Sequence, residues 1–404
     1  MDRKIVKMNI LYVLRHNPWG IGGGCYASRC YLDAFTTVFA DAHFDVCLCA
    51  EYLTEKHLDK DYPNVAFVKV AERGLGEKLI VPLSGLLHRF DCMARKMLKT
   101  GKYDYCIFDH NSIAGPLVKL CRELNVKTIV INHNCEAEYY RDNHGIMEQF
   151  FFLRHVIRAE RESYIGCDYN IFLTAEDRDL FKLRYGISET RSVVTGCFDP
   201  KGRGDNSYIA NISTKKETPL QLIISGTIGN VQNMDGIQYF LDELLPAVTT
   251  TAEVIIAGKN PPVELSGQIE KLNQTGKFAR VKLIPNPKDM MELVYNCDIF
   301  VCPTRLGGGL KLRVMDGLKA GLPVIAHKVS ARGYSDFIHQ GLLWSFEDKD
   351  SFVDALKNAI AKTDTGTAWR EKAQEFAQMQ FSFEGKVQML SFIFTEKEIT
   401  HSFI

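Results

Sequence analysis

Short apolar runs of strand length alternate with segments of helix length along this chain, and the alternation occurs twice. Runs without polar alternation are typical of strands in a parallel sheet that is covered on both faces. Those in the first half are NILYVL (9–14), FDVCLCA (44–50), YCIFDH (105–110), KTIVIN (127–132) and YNIFLT (169–174). Those in the second half are QLIISG (221–226), EVIIAG (253–258), RVKLI (280–284), IFVCP (299–303) and LPVIAH (322–327). The repetition predicts an α/β protein with two Rossmann-like, doubly wound domains.

The boundary between the two predicted domains lies in the segment 199–219. This segment is dense in Gly, Asp, Asn, Ser and Lys and has no apolar periodicity. A chain of 404 residues also exceeds the size at which one hydrophobic core stops growing. We therefore predict an N-terminal domain over 1–200, a C-terminal domain over 201–380, and a closing helix in 381–404.

Composition narrows the class of partner. Lys and Arg total 49, as do Asp and Glu, so no overall positive field favours nucleic acid. The 12 cysteines form neither a C-x-x-C pair nor the Cys/His spacing of a zinc site, which favours reduced, buried thiols. The N-terminus has no signal-peptide pattern and no apolar run reaches the ~20 residues of a membrane span. We expect a cytoplasmic protein, with the inner face of a membrane as an alternative location, and no bound metal.

The segment PTRLGGGLKLRVMDGLKAGLPVIAH (303–327) is the most informative for chemistry. Glycines ahead of a helix let backbone N–H groups approach an anion, and the helix N-terminus adds about half a positive charge. Lys311 and Arg313 stand just inside the helix predicted to begin near Leu310, where the dipole disfavours cations unless an anion is bound. Asp316, one turn further on, suits a ribose diol. The alternative is a glycine-rich turn with two solvated basic residues.

This segment resembles the donor-binding segment of GT-B glycosyltransferases of family 4, also called group 1. The resemblance continues upstream in SGTIGNVQNMDGIQYFLDELLP (225–246), IIAGKNPP (255–262) and IPNPKDMMELVYNCDIFVCPTR (284–305). It implies two domains that face a cleft, with the acceptor on the N-terminal side, the donor on the C-terminal side, and the closing helix of 381–404 returning to the N-terminal domain.

The resemblance also assigns roles to individual residues. The backbone of Gly308, Gly309 and Leu310 would receive the donor's sugar and diphosphate. Lys311 and Arg313 would supply charge for catalysis, and Asp316 would hold the ribose. The remaining donor-binding residues implied on this side are Gly226, Thr227 and Lys259. Two departures stand out: Gly308 replaces the first of two glutamates common in the family, and the usual Arg and Lys after the first C-domain strand are missing.

The N-terminal half matches the family more weakly. YVLRHNPWGIGGGCYAS (12–28) resembles the opening loop of the family, which implies donor contact at Gly23 and Gly24. A dinucleotide fingerprint is the alternative, but the strict G-x-G-x-x-G spacing fails. INHNCEAEYYRD (131–142) resembles a His-Asn-x-Glu element. It implies that His133 lies near the transferred sugar, and that Glu136 orients the loop, contacts the acceptor or caps the next helix. A purely structural histidine is the alternative.

The function implied is transfer of a sugar from a nucleotide-diphosphate donor to a glycan or lipid-linked acceptor, as in polysaccharide biosynthesis. The family resemblance further implies retention of the anomeric configuration without a metal or other cofactor. Two alternatives remain open from the residues: a nucleotide-sugar epimerase or nicotinamide-dependent oxidoreductase on the same scaffold, and a non-catalytic sugar-nucleotide-binding protein.

One segment, 77–103, raises the question of a membrane. It combines leucines with a basic series that includes Arg95, Lys96 and Lys99, a composition that suits peripheral contact with an anionic bilayer. The alternative is an ordinary amphipathic helix packed on the N-terminal sheet with a solvated basic face.

Overall fold

The computed structural model describes residues 8–20, 22–53, 62–71, 88–188, 190–202, 219–363 and 367–396. The chain divides into two compact units, one of residues 1–204 with 381–404 and one of residues 205–380. We call these unit 1 and unit 2 and describe each by itself.

Unit 1 contains one parallel sheet of seven strands in the order β3-β2-β1-β4-β5-β6-β7. The strands are β1 (Asn9–Leu14), β2 (His43–Cys49), β3 (Val65–Val70), β4 (Tyr105–Asp109), β5 (Lys127–Asn132), β6 (Tyr169–Phe172) and β7 (Arg191–Val194). The helices are α1 (Gly23–Val38), α2 (His88–Thr100), α3 (Asn111–Ala114), α4 (Val118–Glu123), α5 (Glu136–Asn143), α6 (Ile146–Gly166) and α7 (Ala175–Tyr185). A 3-10 turn covers Ala50–Tyr52.

Unit 2 contains a second parallel sheet, of six strands in the order β10-β9-β8-β11-β12-β13. Its strands are β8 (Leu220–Thr227), β9 (Ala252–Lys259), β10 (Arg280–Pro285), β11 (Ile299–Cys302), β12 (Val324–His327) and β13 (Leu343–Phe346). Its helices are α8 (Val231–Tyr239), α9 (Val263–Gln274), α10 (Met290–Tyr295), α11 (Leu312–Lys319), α12 (Ser335–His339), α13 (Lys349–Thr363) and α14 (Thr367–Gln380). A π turn (Phe240–Leu244) and a 3-10 turn (Leu245–Ala247) follow α8.

The C-terminal segment packs on unit 1. Helix α15 (Phe383–Ser391) is continued by a π turn over Phe392–Glu396. The ring of Phe394 lies 5.8 Å from that of Phe35 on α1 and 4.9 Å from that of Tyr169 on β6. The backbone N–H of Asp199 donates to the carbonyl of Phe381 at 2.9 Å. The end of the chain thus adds aromatic side chains to the core of unit 1.

The two sheets confirm the predicted pair of doubly wound, Rossmann-like domains. Every strand predicted from an apolar run is present, and all of them except β10 are central strands of a covered parallel sheet, where nearly every side chain is buried. Three strands were not predicted: β3, β7 and β13. Each is an edge strand of its sheet with partly exposed side chains, so its sequence lacks the continuous apolar signal.

Helix α2 covers the described part of the segment considered for membrane contact, and residues 77–87 lie outside the described residues. Its apolar side packs on the sheet, since Phe90, Ala94 and Leu98 are buried. Arg95 pairs with Asp91 at 2.7 Å between Nε and Oδ2. Lys96 is exposed on the outer face. The described residues therefore form a packed amphipathic helix with a solvated basic face.

Each sheet reverses its strand order at one place, between β1 and β4 in unit 1 and between β8 and β11 in unit 2. In open α/β sheets the crevice at the carboxyl ends of these neighbouring strands is where ligands bind. The polar residues singled out above lie at the carboxyl ends of these strands or of β5 and β9, which pair with β4 and β8.

Candidate active site

The glycine loop of unit 2 joins β11 to α11. Gly307 has a φ of 80° and Gly309 a φ of 71°, left-handed conformations that favour glycine. A Cβ on Gly307 would also lie 2.2 Å from Nε2 of Gln232, so the loop packs directly on the first turn of α8. The three glycines of the loop are buried. Glycine is thus required at position 307 by both the backbone conformation and the close approach of Gln232, and at position 309 by the backbone conformation.

The side chain of Lys311 lies beneath this loop and is only 7% exposed. Its ammonium donates to the carbonyls of Gly307 at 3.2 Å and Gly308 at 3.0 Å, and to Oε1 of Gln232 at 3.3 Å. In a trans peptide the C=O and N–H point in opposite directions. The amides of Gly308 and Gly309 therefore point away from the ammonium. Lys311 orients the loop so that its N–H groups are presented on the other side.

The guanidinium of Arg313, in the first turn of α11, connects this helix to the end of β8. Its Nη2 donates to Oδ1 of Asn233, and Nδ2 of Asn233 donates to the carbonyl of Thr227 at 2.7 Å. Nη1 lies 3.2 Å from the position that a Cβ on Gly226 would take. Gly226 itself has a φ of 143°. A side chain at this position would meet the guanidinium, so glycine keeps the end of β8 open.

Gly226, Asn233 and Arg313 border a small concave site. Its lining residues are Ile224, Ser225, Gly226, Ile228, Asn233, Ile237, Pro303, Thr304 and Arg313. The first turns of α8 and α11 both border it, and Asn230 caps α8 by accepting from the N–H of Gln232 at 3.0 Å. Helix N-termini and a guanidinium converge here, so the electrostatics favour an anion.

The remaining predicted donor residues of unit 2 lie nearby. Lys259 is the last, exposed residue of β9, and its Cα is in register with that of Thr227. Asp316 is half-buried on α11, one turn beyond Arg313. The helix was predicted to begin near Leu310 but begins at Leu312, because Lys311 adopts an extended conformation, with φ of −88° and ψ of 92°, at the cap.

Sequence reasoning missed three residues that shape the site. Gln232 and Asn233 hold Lys311 and Arg313, and the Asn-Val-Gln-Asn start of α8 was the available signal. Arg305 pairs with Asp235 at 2.9 Å between Nε and Oδ2, and stacks 4.5 Å above the ring of Tyr239. The hydrogen bond to Asp235 raises the pKa of Arg305. The side chain of Arg305 thus holds the loop against α8.

A second cluster lies in unit 1 at the carboxyl ends of β1, β4 and β5. Asp109 ends β4 with its side chain fully buried, and its Oδ1 contacts Nε2 of His133, which follows β5. Burial alone would raise the pKa of Asp109, but the attraction of His133 outweighs it and the pKa lies below its usual value. An ionised carboxylate at Nε2 holds the proton on that nitrogen, which leaves Nδ1 of a neutral ring as an acceptor.

A parallel pair is formed by His110 and Glu136, whose Nε2 and Oε1 are 3.0 Å apart. Burial opposes ionisation of Glu136, but His110 and then Arg15 lower its pKa to about 2. Burial lowers the pKa of His110 despite this carboxylate. Nδ1 of His110 accepts from the backbone N–H of Ser112 at 3.3 Å, and His110 has a φ of 131°. This strained backbone conformation is held by the contacts of the ring with Ser112 at Nδ1 and with Glu136 at Nε2.

The third ring of the cluster belongs to His16, which follows β1. Its centroid is 5.7 Å from that of His110 and 5.7 Å from that of His133. Burial, together with repulsion from the neighbouring rings, lowers the pKa of His16 to about 3, so the ring is neutral at pH 7. A Cβ on Gly24 would come within 3.2 Å of the His16 ring, which explains a glycine at the start of α1, next to Gly23.

Of this second cluster, the sequence indicated His133, Glu136 and the glycines but missed Asp109, His110 and His16. The signal was present, because Asp-His ends the run YCIFDH and Arg-His follows the run NILYVL. Titratable residues at the carboxyl ends of neighbouring strands point to one crevice only when the strand order is known.

Two findings concern metals and membranes. Within the described ranges, no group of three or more His, Cys, Asp and Glu side chains is arranged to hold a metal ion. In the same part of the chain, no helix is both long enough and apolar enough to span a bilayer.

Residues 222–362 match the family model described as Glycosyl transferases group 1. Residues 222–362 therefore form a group 1 glycosyltransferase domain. No curated protein matches this chain significantly.

Among solved structures, sucrose-phosphate synthase from Thermosynechococcus elongatus has a TM-score of 0.68 at 15% identity, covering 98% of this chain and 100% of that one. WaaG, a glycosyltransferase involved in lipopolysaccharide biosynthesis, has a TM-score of 0.62 at 16% identity, covering 96% and 100%. HepE from Anabaena, in complex with UDP-glucose, has a TM-score of 0.59 at 14% identity, covering 98% and 100%. The predicted GT-B fold is thus confirmed, as is the predicted resemblance to group 1 glycosyltransferases over residues 222–362, and the chain is an enzyme that transfers a sugar.

Proposed function

We propose that this glycosyltransferase takes its sugar from a nucleoside-diphosphate donor bound in unit 2 and transfers it to a hydroxyl of a glycan or lipid-linked acceptor. The observation that carries the proposal is the orientation of the glycine loop. Lys311 holds the carbonyls of Gly307 and Gly308, so the amides of Gly308 and Gly309 point away from its ammonium and would form an anion site on the other side of the loop.

The chemistry of this site suits a diphosphate. Positive charge would reach the diphosphate from several directions. It comes from the amides of the glycine loop, from the first turns of α8 and α11, and from the guanidinium of Arg313. Asp316 would accept from the ribose hydroxyls and Lys259 would reach the diphosphate or nucleotide. A relative of the same fold, HepE from Anabaena, binds UDP-glucose, so uridine donors are the first to test.

We further propose that transfer proceeds with retention and without a metal. As the bond from the anomeric carbon to the donor phosphate breaks, negative charge develops on the leaving oxygen. Arg313 and the loop amides would stabilise it there. The acceptor hydroxyl would attack from the face the phosphate leaves, and its proton would pass to the departing phosphate oxygen.

The cluster of unit 1 would bind sugar hydroxyls. Asp109 fixes the proton of His133 on Nε2, so Nδ1 would accept a hydrogen bond from a hydroxyl of the sugar or the acceptor. Glu136 would act as a positioning residue for His110. Among the alternatives left open by the sequence, the group 1 match over residues 222–362 favours sugar transfer over epimerisation or hydride transfer.

The proposal is tested by thermal stabilisation with a panel of UDP-, GDP- and ADP-sugars. A ligand at 100 times its dissociation constant stabilises the folded protein by ~2.7 kcal/mol, and we expect one nucleotide class to do so. The R313A variant should bind that donor at least ~10-fold more weakly, since a charge-assisted donor is lost. R280A is the matched control, because Arg280 is an exposed residue at the start of β10, at the opposite edge of the sheet from the carboxyl ends that border the site. Equal shifts in R313A and R280A, or no shift with any donor, would refute the assignment.

A further inference from the structure

The first turns of α6 present an unusual set of exposed side chains. Ile146 is 86% exposed, Met147 68%, Phe150 76% and Phe151 46%. The other half of the helix holds it to unit 1, because Ala159, Glu160, Ser163 and Tyr164 are buried and the helix packs against α3 and α5. Contiguous exposed apolar side chains of this size usually mark an interaction site.

Arginines continue the same face of the helix. Met147, Phe150 and Phe151 are followed at helical spacing by Arg154, Arg158 and Arg161, all exposed. Arg158 pairs with Glu162 at 2.8 Å between Nε and Oε1. One stripe thus runs from an apolar end to a basic stretch along a helix of 21 residues.

We propose that this stripe of α6 binds the surface of an anionic lipid bilayer. Apolar side chains of an interfacial helix enter ~5–10 Å into the boundary between headgroups and acyl chains. The arginines would then lie over the headgroups, where a guanidinium can bind phosphate through two parallel hydrogen bonds. The apolar end would thus contact the acyl-chain boundary, and the basic stretch would contact the headgroups of the same bilayer surface.

A second copy of this chain fits the stripe less well. A stable protein interface takes ~20–30 residues from each partner, whereas the apolar part here is one end of one helix. Parallel pairing of two stripes along their length would also bring their arginines towards one another. The proposal concerns where the enzyme acts and does not depend on which donor unit 2 binds.

The test is flotation of the full chain with vesicles of phosphatidylglycerol or of phosphatidylcholine, at low and high salt. We expect co-flotation with phosphatidylglycerol that weakens with salt. The F150S/F151S variant should partition at least ~10-fold less, because the inserting side chains are removed. The R154Q/R161Q variant should lose most of the preference for phosphatidylglycerol.

The matched control is L183S/I187S, since Leu183 and Ile187 are also apolar residues of unit 1 and are 84% and 94% exposed. Its partitioning should stay within ~2-fold of the wild type, because these residues lie outside the stripe. Absence of flotation with phosphatidylglycerol at low salt, or equal loss in the control, would overturn the proposal. Loss only in a K96Q/K99Q variant would assign the membrane contact to α2 instead. A dimer that F150S/F151S dissociates, without flotation, would assign the stripe to a second copy.

Discussion

At the scale of single residues, the main lesson concerns Lys311. From the sequence we predicted that its charge acts on the donor diphosphate. In the structure its ammonium is instead bound to the carbonyls of the loop that would receive the diphosphate. A cation that orients amides acts through them, so its contribution to transfer is one of positioning as well as charge.

We predict that K311M lowers both transfer and the stability of the protein without donor. Loss of the ammonium leaves the buried carbonyls of Gly307 and Gly308 without this donor, at a cost of ~1–3 kcal/mol in unfolding free energy. Misplacement of the loop amides should lower kcat/KM by ~100-fold. The comparison is K282A, since Lys282 is an exposed lysine on the edge strand β10. An unchanged melting temperature in K311M without donor would contradict the positioning role.

At the scale of elements, the sequence predicted the central strands but not how their ends meet. Apolar runs such as KTIVIN identify a buried strand such as β5, whereas β7, at the sheet edge, has mostly half-buried side chains and no such run. Asp109 and His133 are distant in sequence and touch because β4 and β5 are neighbours in register. Strand order follows from packing of the whole unit, which residue patterns alone do not encode.

The cluster at these strand ends predicts a pH dependence of stability. The pKa of His16 is about 3 in the folded protein, below its value of 6.5 in an unfolded chain, so only the unfolded chain gains this proton as pH falls below 6.5. The pKa of Glu136, about 2 when folded against 4.5, acts in the same direction below pH 4.5. Stability should therefore fall with pH, with His16 contributing about 2 kcal/mol between pH 7.5 and 5.

This prediction is checked by melting temperatures across that pH range for the wild type and for H16N. The fall in melting temperature should be smaller in H16N, because the asparagine does not titrate. The same substitution at His43, whose side chain is 42% exposed, is the control. Parallel pH profiles for the wild type and H16N would show that His16 is not the titrating group.

At the scale of the whole molecule, the two sheets with the same strand order place two polar clusters at equivalent positions. The group 1 match covers residues 222–362 and therefore the glycine loop, α11 and the end of β8. The histidine cluster of unit 1 lies outside the matched range. This agrees with the sequence, where the resemblance was dense after residue 220 and weaker before it.

The proposed transfer without a metal depends on several parts of the molecule acting together. Two helix N-termini, the loop amides and Arg313 are assigned the charge that a divalent cation supplies in other transferases. We therefore expect the rate of donor turnover to be independent of added or contaminating metal.

The most direct test of the account measures nucleoside diphosphate released from the donor that stabilises the protein, with and without an excess of EDTA. Glycan and lipid extracts serve as acceptors, and incubation without acceptor gives the rate of donor hydrolysis. We predict that the rate of nucleoside diphosphate release rises when acceptor is added. The rate with EDTA should stay within ~2-fold of the rate without it, because protein groups stabilise the charge of the leaving group. Loss of release in EDTA that manganese restores would contradict the account.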